Sequence, residues 1–213
     1  MDKLTLLFDF DGTLADSIHL GLNIANKIAP EFGIEPLTEK QFEEVRSMSI
    51  PKALKYLKIP FYKVPKAIAL ALVEYRHRIH ELEPYPGIDT MLCDLRKLGC
   101  ELALISSNTS ENVSYFIEHH SLHYFNWIEG TSGILKKHSS IRKQMKKHKL
   151  TKENVIYVGD EIRDVIAAKK CGIRVISVTW GFHTQELLSS KDPDYLVDNP
   201  SQITNIVQKL LSK

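Results

Sequence analysis

From residue 84 onward, short runs rich in Leu, Ile and Val alternate with stretches whose apolar residues recur at helical spacing. With an earlier run at 4–8, they predict strands at 102–105, 127–128, 155–158, 174–178 and 195–197. The intervening stretches predict helices over 88–98, 111–119, 135–147 and 163–171. Gly99 and Gly172 follow two of them, where a C-terminal cap is expected. The strands are apolar at successive positions, which suits burial on both faces, as in a parallel sheet covered by helices. The expectation is an α/β fold with a Rossmann-like three-layer core.

The interval 15–83 follows another rule. It holds no convincing strand, and Leu20, Ile24 and Ile28, then Ile68, Leu72, Tyr75 and Ile79, repeat at helical spacing. Pro30, Pro36, Pro51, Pro60 and Pro65 divide it into several helices, and Pro84-Tyr85-Pro86-Gly87 is a stiff turn back to the main body. The chain therefore reads as a core formed by 1–14 and 84–213, with a small all-helical cap over 15–83 inserted after the first strand. A length of 213 residues accommodates one core and a small lid.

Composition narrows the function classes. Apolar residues at 43% and charged residues at 25% are ordinary for a soluble globular protein. A net charge of +2 lacks the clustered basic excess of nucleic-acid binders. The opening MDKLTLLFDF is not a signal peptide, and no apolar stretch approaches the roughly 20 residues needed to span a bilayer. Cys93, Cys100 and Cys171 are scattered, without metal-ligand spacing, so a cytoplasmic setting is expected. No nucleic-acid and no membrane partner is expected.

Candidate chemistry begins where the first strand ends, in Asp9-Phe10-Asp11-Gly12-Thr13-Leu14-Ala15-Asp16-Ser17. In open α/β sheets ligands bind beyond the carboxyl ends of strands, and Asp9 and Asp11 would point to one side there. Two such carboxylates repel unless a cation compensates them, and oxygen ligands favour a hard ion such as magnesium. Gly12 frees the backbone to leave the strand sharply. After the second strand, Ser106-Ser107-Asn108 offers hydroxyls and turn amides suited to a phosphate, although Ser107 or Asn108 as a simple helix cap fits equally well. Lys136-Lys137-His138-Ser139 opens a very basic helix, whose Arg142, Lys143, Lys146, Lys147 and Lys149 read as a solvated face, with no aromatics interleaved for nucleic acid. The strand at 155–158 breaks into Gly159-Asp160, with Asp164 one helical turn on; Asp160 can reach a cation placed by Asp9. Glu161 and Arg163 read as a surface ion pair or, for Arg163, as a brace for the site. His77, His80, His119, His120, His138 and His148 match no catalytic spacing and are assigned to helix surfaces, and Trp180 is assigned to packing.

Asp9 to Leu14 with Asp16-Ser17, followed in order by Ser106, the paired lysines and Gly159-Asp160-x-x-x-Asp164, resembles the haloacid dehalogenase superfamily over nearly the whole chain. The stretches 177–182 and 193–197 resemble its phosphoglycolate-phosphatase-like branch. The resemblance implies that Asp9 is a nucleophile, that Asp11 is the acid and base, and that Ser106 binds phosphate with help from Ser107 and Asn108. It implies that Lys137 neutralises the transferring group, with Lys136 as competitor. It also implies Mg2+ held by Asp9, Asp160 and the backbone carbonyl of Asp11, with Asp164 in an outer position. Asp11 separates phosphatases of the family from its dehalogenases and phosphonate-cleaving members, which lack that acid. The 15–83 insert corresponds to a lid, and its loop 44–52 is expected to face the site; there Arg46 or Lys52 meets a substrate carboxylate or simply faces solvent. The implied function is hydrolysis of a small phosphorylated metabolite, phosphoglycolate favoured, by a monomer or homodimer. A sugar phosphomutase of the β-phosphoglucomutase type and a non-catalytic binding protein on the same scaffold are the alternatives.

Overall fold

The computed structural model describes residues 3–130 and 137–212. Six strands, β1 (Thr5–Phe8), β2 (Glu101–Ser106), β3 (Trp127–Gly130), β4 (Val155–Gly159), β5 (Arg174–Val178) and β6 (Tyr195–Val197), form one parallel sheet in the order β3-β2-β1-β4-β5-β6. The chain first builds outward from β1 through β2 to β3. It then crosses back to place β4 on the other side of β1, so the strand order reverses beside β1. The C-terminal ends of β1 and β4 therefore border the crevice where such sheets bind ligands.

Alternate residues of each strand face opposite layers. Leu6, Phe8, Leu102, Leu104, Ile156 and Val158 face α5 (Ile88–Lys97), α6 (Ser110–His119) and α10 (Pro200–Leu211). Leu7, Ala103, Ile105, Val155, Tyr157 and Val175 face α7 (Lys137–Lys147) and α8 (Ile162–Cys171). Helix, sheet and helix thus make three layers, as the doubly apolar strands predict. The predicted helix over 135–147 is described from Lys137; its first two positions lie outside the described residues. Gly99 and Gly172 have positive φ, as their capping places require. The helices α9 (Gln185–Ser189) and α10 were not anticipated; Asn199 caps α10 by accepting from Ser201 N–H at 2.9 Å, with Pro200 in its first turn.

Between β1 and β2, the described residues contain α1 (Ile18–Ile28), α2 (Glu39–Arg46), α3 (Ile50–Tyr56) and α4 (Val64–Arg78) before α5, and no strand. Pro51 and Pro65 sit in the first turns of α3 and α4, where the missing N–H costs nothing. The chain leaves and re-enters the core side by side: Asp16 N–H donates to Glu83 O at 2.9 Å and Tyr85 N–H to Leu14 O at 3.0 Å. No helix among the described residues is long and apolar enough to cross a membrane. Among the histidines assigned to helix surfaces, His120 Nε2 lies 2.8 Å from Leu82 O, His119 stacks on Tyr115 with ring centroids 5.7 Å apart, and His148 stacks on Trp127 with ring centroids 4.2 Å apart.

Candidate active site

The ends of β1 and β4 bring Asp9 and Asp160 together, and the first turn of α8 adds Asp164. All three are buried, and one carboxylate oxygen from each lies within 4.8 Å of the others. The buried ammonium of Lys137, at the start of α7, pairs with both Asp9 Oδ2 and Asp164 Oδ1. Lys136 lies outside the described residues. Burial alone would push the Lys137 ammonium down, but Asp164 and Asp9 outweigh it and the net direction is up. Burial raises the Asp9 carboxyl against the pull of Lys137, and it raises Asp160 well above the carboxylate range, with the charges of Glu161 and Asp9 adding. Three buried carboxylates lie together, and among the described residues the one ammonium beside them pairs with only two, Asp9 and Asp164. An oxygen-lined site of this kind suits a divalent cation.

Local geometry fixes each group. Asp9 Oδ1 accepts from Phe10 N–H at 2.8 Å. Asp160 accepts from the Thr13 hydroxyl at 2.8 Å and from Phe182 N–H at 2.7 Å. Asp164 Oδ2 accepts from Glu161 N–H at 3.0 Å, closing a box at the start of α8. Two glycines permit the close approach. A Cβ on Gly12, whose φ is +71°, would stand 2.2 Å from Asp160 Oδ2, and one on Gly181 would stand 2.1 Å from Asp160 Cβ.

The Asp11 carboxylate is outside this cluster. Its Oδ1 accepts from the Tyr75 hydroxyl at 2.6 Å and its Oδ2 from Asn108 Nδ2 at 3.3 Å. Burial raises its pKa, with the Tyr75 hydrogen bond opposing. Such a carboxyl retains its proton more readily than a solvated one and is suited to donate it. Ser106, buried at the end of β2, accepts from Asn108 N–H at 2.9 Å. Asn108 Oδ1 also accepts from Thr109 N–H and Asn112 Nδ2, both at 2.9 Å, and the side-chain cap of α6 is Thr109. The capping reading of Ser107 and Asn108 is therefore corrected. Ser107 Oγ lies 3.4 Å from Arg163 Nη2, and Arg163 also pairs with Glu161 at 2.5 Å. Both partners of that pair are mostly buried at the site, so the surface reading is corrected too.

Arg46 is used differently from the expectation. Its guanidinium donates to Phe182 O at 2.8 Å and Gly181 O at 2.9 Å and pairs with Glu43 at 2.8 Å. Lys52 is exposed. Beside Arg46, His183 accepts at Nδ1 from Ile162 N–H at 3.1 Å, and its Nε2 faces Met48 O at 3.1 Å, which calls for the proton on Nε2. Residues 181–183 thus hold Asp160 on one side and the helical insert on the other.

A profile described as haloacid dehalogenase-like hydrolase matches residues 6–178, most of the chain and every group just described except His183, Gly181 and Phe182. The chain belongs to the haloacid dehalogenase-like hydrolases. Within this family it is similar to a phosphoglycolate phosphatase of Synechococcus elongatus, 30% identical over 97% of this chain and 98% of the relative. A phosphoglycolate phosphatase of Vibrio cholerae is 28% identical over 95% and 96%. A solved predicted phosphatase from Clostridium acetobutylicum shares the fold with a TM-score of 0.84 at 23% identity, covering 98% of this chain and all of that one (100%). Sequence reasoning missed Thr13, Tyr75, Gly181 and His183 as site groups. Thr13 and Gly181 lay inside quoted motifs, whereas Tyr75 was hidden in the apolar repeat of a helix and His183 carried no signal.

Proposed function

We propose that the chain is a magnesium-dependent phosphomonoester hydrolase that works through an aspartyl phosphate on Asp9, acting on a small phosphorylated metabolite. The names of its relatives nominate phosphoglycolate as the reference substrate. The observation that carries the reading is the division of labour among carboxylates: Asp9, Asp160 and Asp164 converge, two of them on Lys137, while Asp11 stands apart, half-buried and hydrogen-bonded to Tyr75 and Asn108.

Asp9 attacks phosphorus, and the bond to the departing oxygen breaks as the aspartyl phosphate forms. Asp11 gives its proton to that oxygen, so the leaving group departs as an alcohol. Water then attacks the same phosphorus and passes its proton to Asp11, which returns Asp9 as a carboxylate and releases inorganic phosphate. Lys137, Ser106 and the Ser107-Asn108 turn hold the phosphoryl oxygens during both transfers. When bound, magnesium adds positive charge at those oxygens; Asp9, Asp160 and the Asp11 carbonyl would hold it, with Asp164 in the outer position. Residues 15–83 act as the cap, and their helices exclude water from the aspartyl phosphate.

Release of inorganic phosphate with magnesium, compared with chelator, tests the reading and separates a hydrolase from a mutase. Asp9→Asn is expected to lower turnover by about a thousandfold or more with the circular dichroism spectrum unchanged. Full turnover by that variant, or equal rates with chelator, would overturn the proposal.

A further inference from the structure

A cavity of about 500 Å³ opens on the proposed phosphate site and extends into the helical insert. Its polar lining sits at the floor: Asp11, Ser17, Ser107, Asn108, Asp160 and Glu161, with the Tyr75 hydroxyl already committed to Asp11. Above the floor the walls are Leu22 of α1, Leu54 and Leu57 of α3 and its end, and Ile68, Ala71 and Leu72 of α4, among other apolar groups. The described lining contains no Lys, Arg or His.

Two further observations bear on what fills this space. Helix α3 buries none of its side chains and α4 buries Tyr75 alone, although both carry apolar residues on the cavity side. In a closed core those side chains would pack on one another; here they face a common chamber of the size that holds a small ligand. The two cations expected to meet a substrate carboxylate are also absent from the wall. Arg46 is taken up by Glu43 and two backbone carbonyls, and Lys52 is exposed. A carboxylate or sugar entering above the floor would lose water among apolar walls with no lining cation to receive it, since Arg163 behind the floor is held by Glu161.

We infer that the leaving group is apolar: the substrate is the monophosphate of an aliphatic or aromatic alcohol, whose carbon skeleton fills the chamber while its phosphate sits on the floor. The inference rests on the phosphatase reading above and sharpens its substrate class away from phosphoglycolate.

The test is phosphate release, with magnesium, from ethyl, butyl, hexyl and octyl monophosphates beside phosphoglycolate, glucose 6-phosphate and p-nitrophenyl phosphate. kcat/KM is expected to rise about three- to fourfold for each added methylene until the chamber is full, with phosphoglycolate at or below the ethyl ester. A flat series, or phosphoglycolate faster than the hexyl ester, would overturn the inference while leaving the hydrolase reading standing. If no ester releases phosphate, the hydrolase reading fails. The chamber is then judged by calorimetric binding of the same alkyl phosphates, where the same slope sustains it and a flat slope ends it. Ala71→Phe is expected to lower the hexyl-to-ethyl ratio of kcat/KM at least about tenfold by occupying the space of two or more methylenes; an unchanged ratio in a variant that melts normally counts against the chamber. Ala25→Phe on α1, which also lines it, serves if the first variant does not fold.

Discussion

At the strand ends, three carboxylates and an ammonium are buried and a fourth carboxylate, Asp11, is half-buried, and each is held by its neighbours. Asp11 alone joins β1, the turn after β2 and α4 through Tyr75 and Asn108. In the helical insert the situation is reversed: the apolar side chains of α3 and α4 that line the chamber favour burial, yet of these only Tyr75 is buried. Charged groups tolerate burial only when their geometry is satisfied, so the strand ends are over-determined. Apolar walls impose no such geometry and can follow the shape of whatever enters. The contrast sets fixed charged geometry at the sheet against a looser apolar insert, to which the proposal above gives substrate recognition.

The comparison is broken most severely by removing the shared cation. Lys137→Met leaves Asp9 and Asp164 buried and uncompensated, so in magnesium-free buffer denaturant unfolding is expected to show a loss of about 3–5 kcal/mol. Added magnesium should recover part of it, since a divalent ion supplies charge at the same carboxylates. Gly181→Ala comes next. The added methyl overlaps Asp160, so magnesium affinity, read from the activation curve, is expected to fall about 10- to 100-fold.

His183→Leu leaves Ile162 N–H and Met48 O without their partner and is expected to cost about 1–3 kcal/mol at pH 7.5. Burial lowers the His183 pKa below the ordinary 6.5. The unfolded chain therefore binds the proton first, and the wild-type protein loses this contribution as pH falls below about 6.5. Urea unfolding of the two proteins should accordingly show a gap that narrows between pH 7.5 and pH 5.5. The smallest effect is expected at the junction of the two regions. Burial raises the Asp11 carboxyl and the Tyr75 hydrogen bond opposes it, so Tyr75→Phe should move the pH limb of kcat belonging to Asp11 upward. The accompanying loss in kcat should be about two- to tenfold.

Legibility followed the same division. Strands buried on both faces advertise themselves by unbroken apolar runs, and β5 and β6 have the expected bounds. The gathering of Asp9, Asp160 and Asp164 was readable because short motifs sit directly at strand ends or helix starts, whereas the sequence leaves the choice between Lys137 and Lys136 open. The contacts of Arg46 were not: its partners are carbonyls of Gly181 and Phe182, and backbone acceptors leave no trace in residue identity. Tyr75 obeyed the apolar period of its helix, which conceals that its hydroxyl is directed at Asp11. His183 depends on the meeting of three segments, 48, 162 and 183, which no local pattern specifies.

The neighbouring exit and entry of the insert, joined by the Ala15–Pro84 bridge and by the bonds from Asp16 to Glu83 and from Tyr85 to Leu14, have a consequence for how the insert can vary. Both ends attach at one seam, so β1 and β2 can pair without the insert spanning the gap between them. What that appendage cannot do is change freely near the strand ends, where Tyr75 grips Asp11 and Arg46 and Met48 grip residues 181–183.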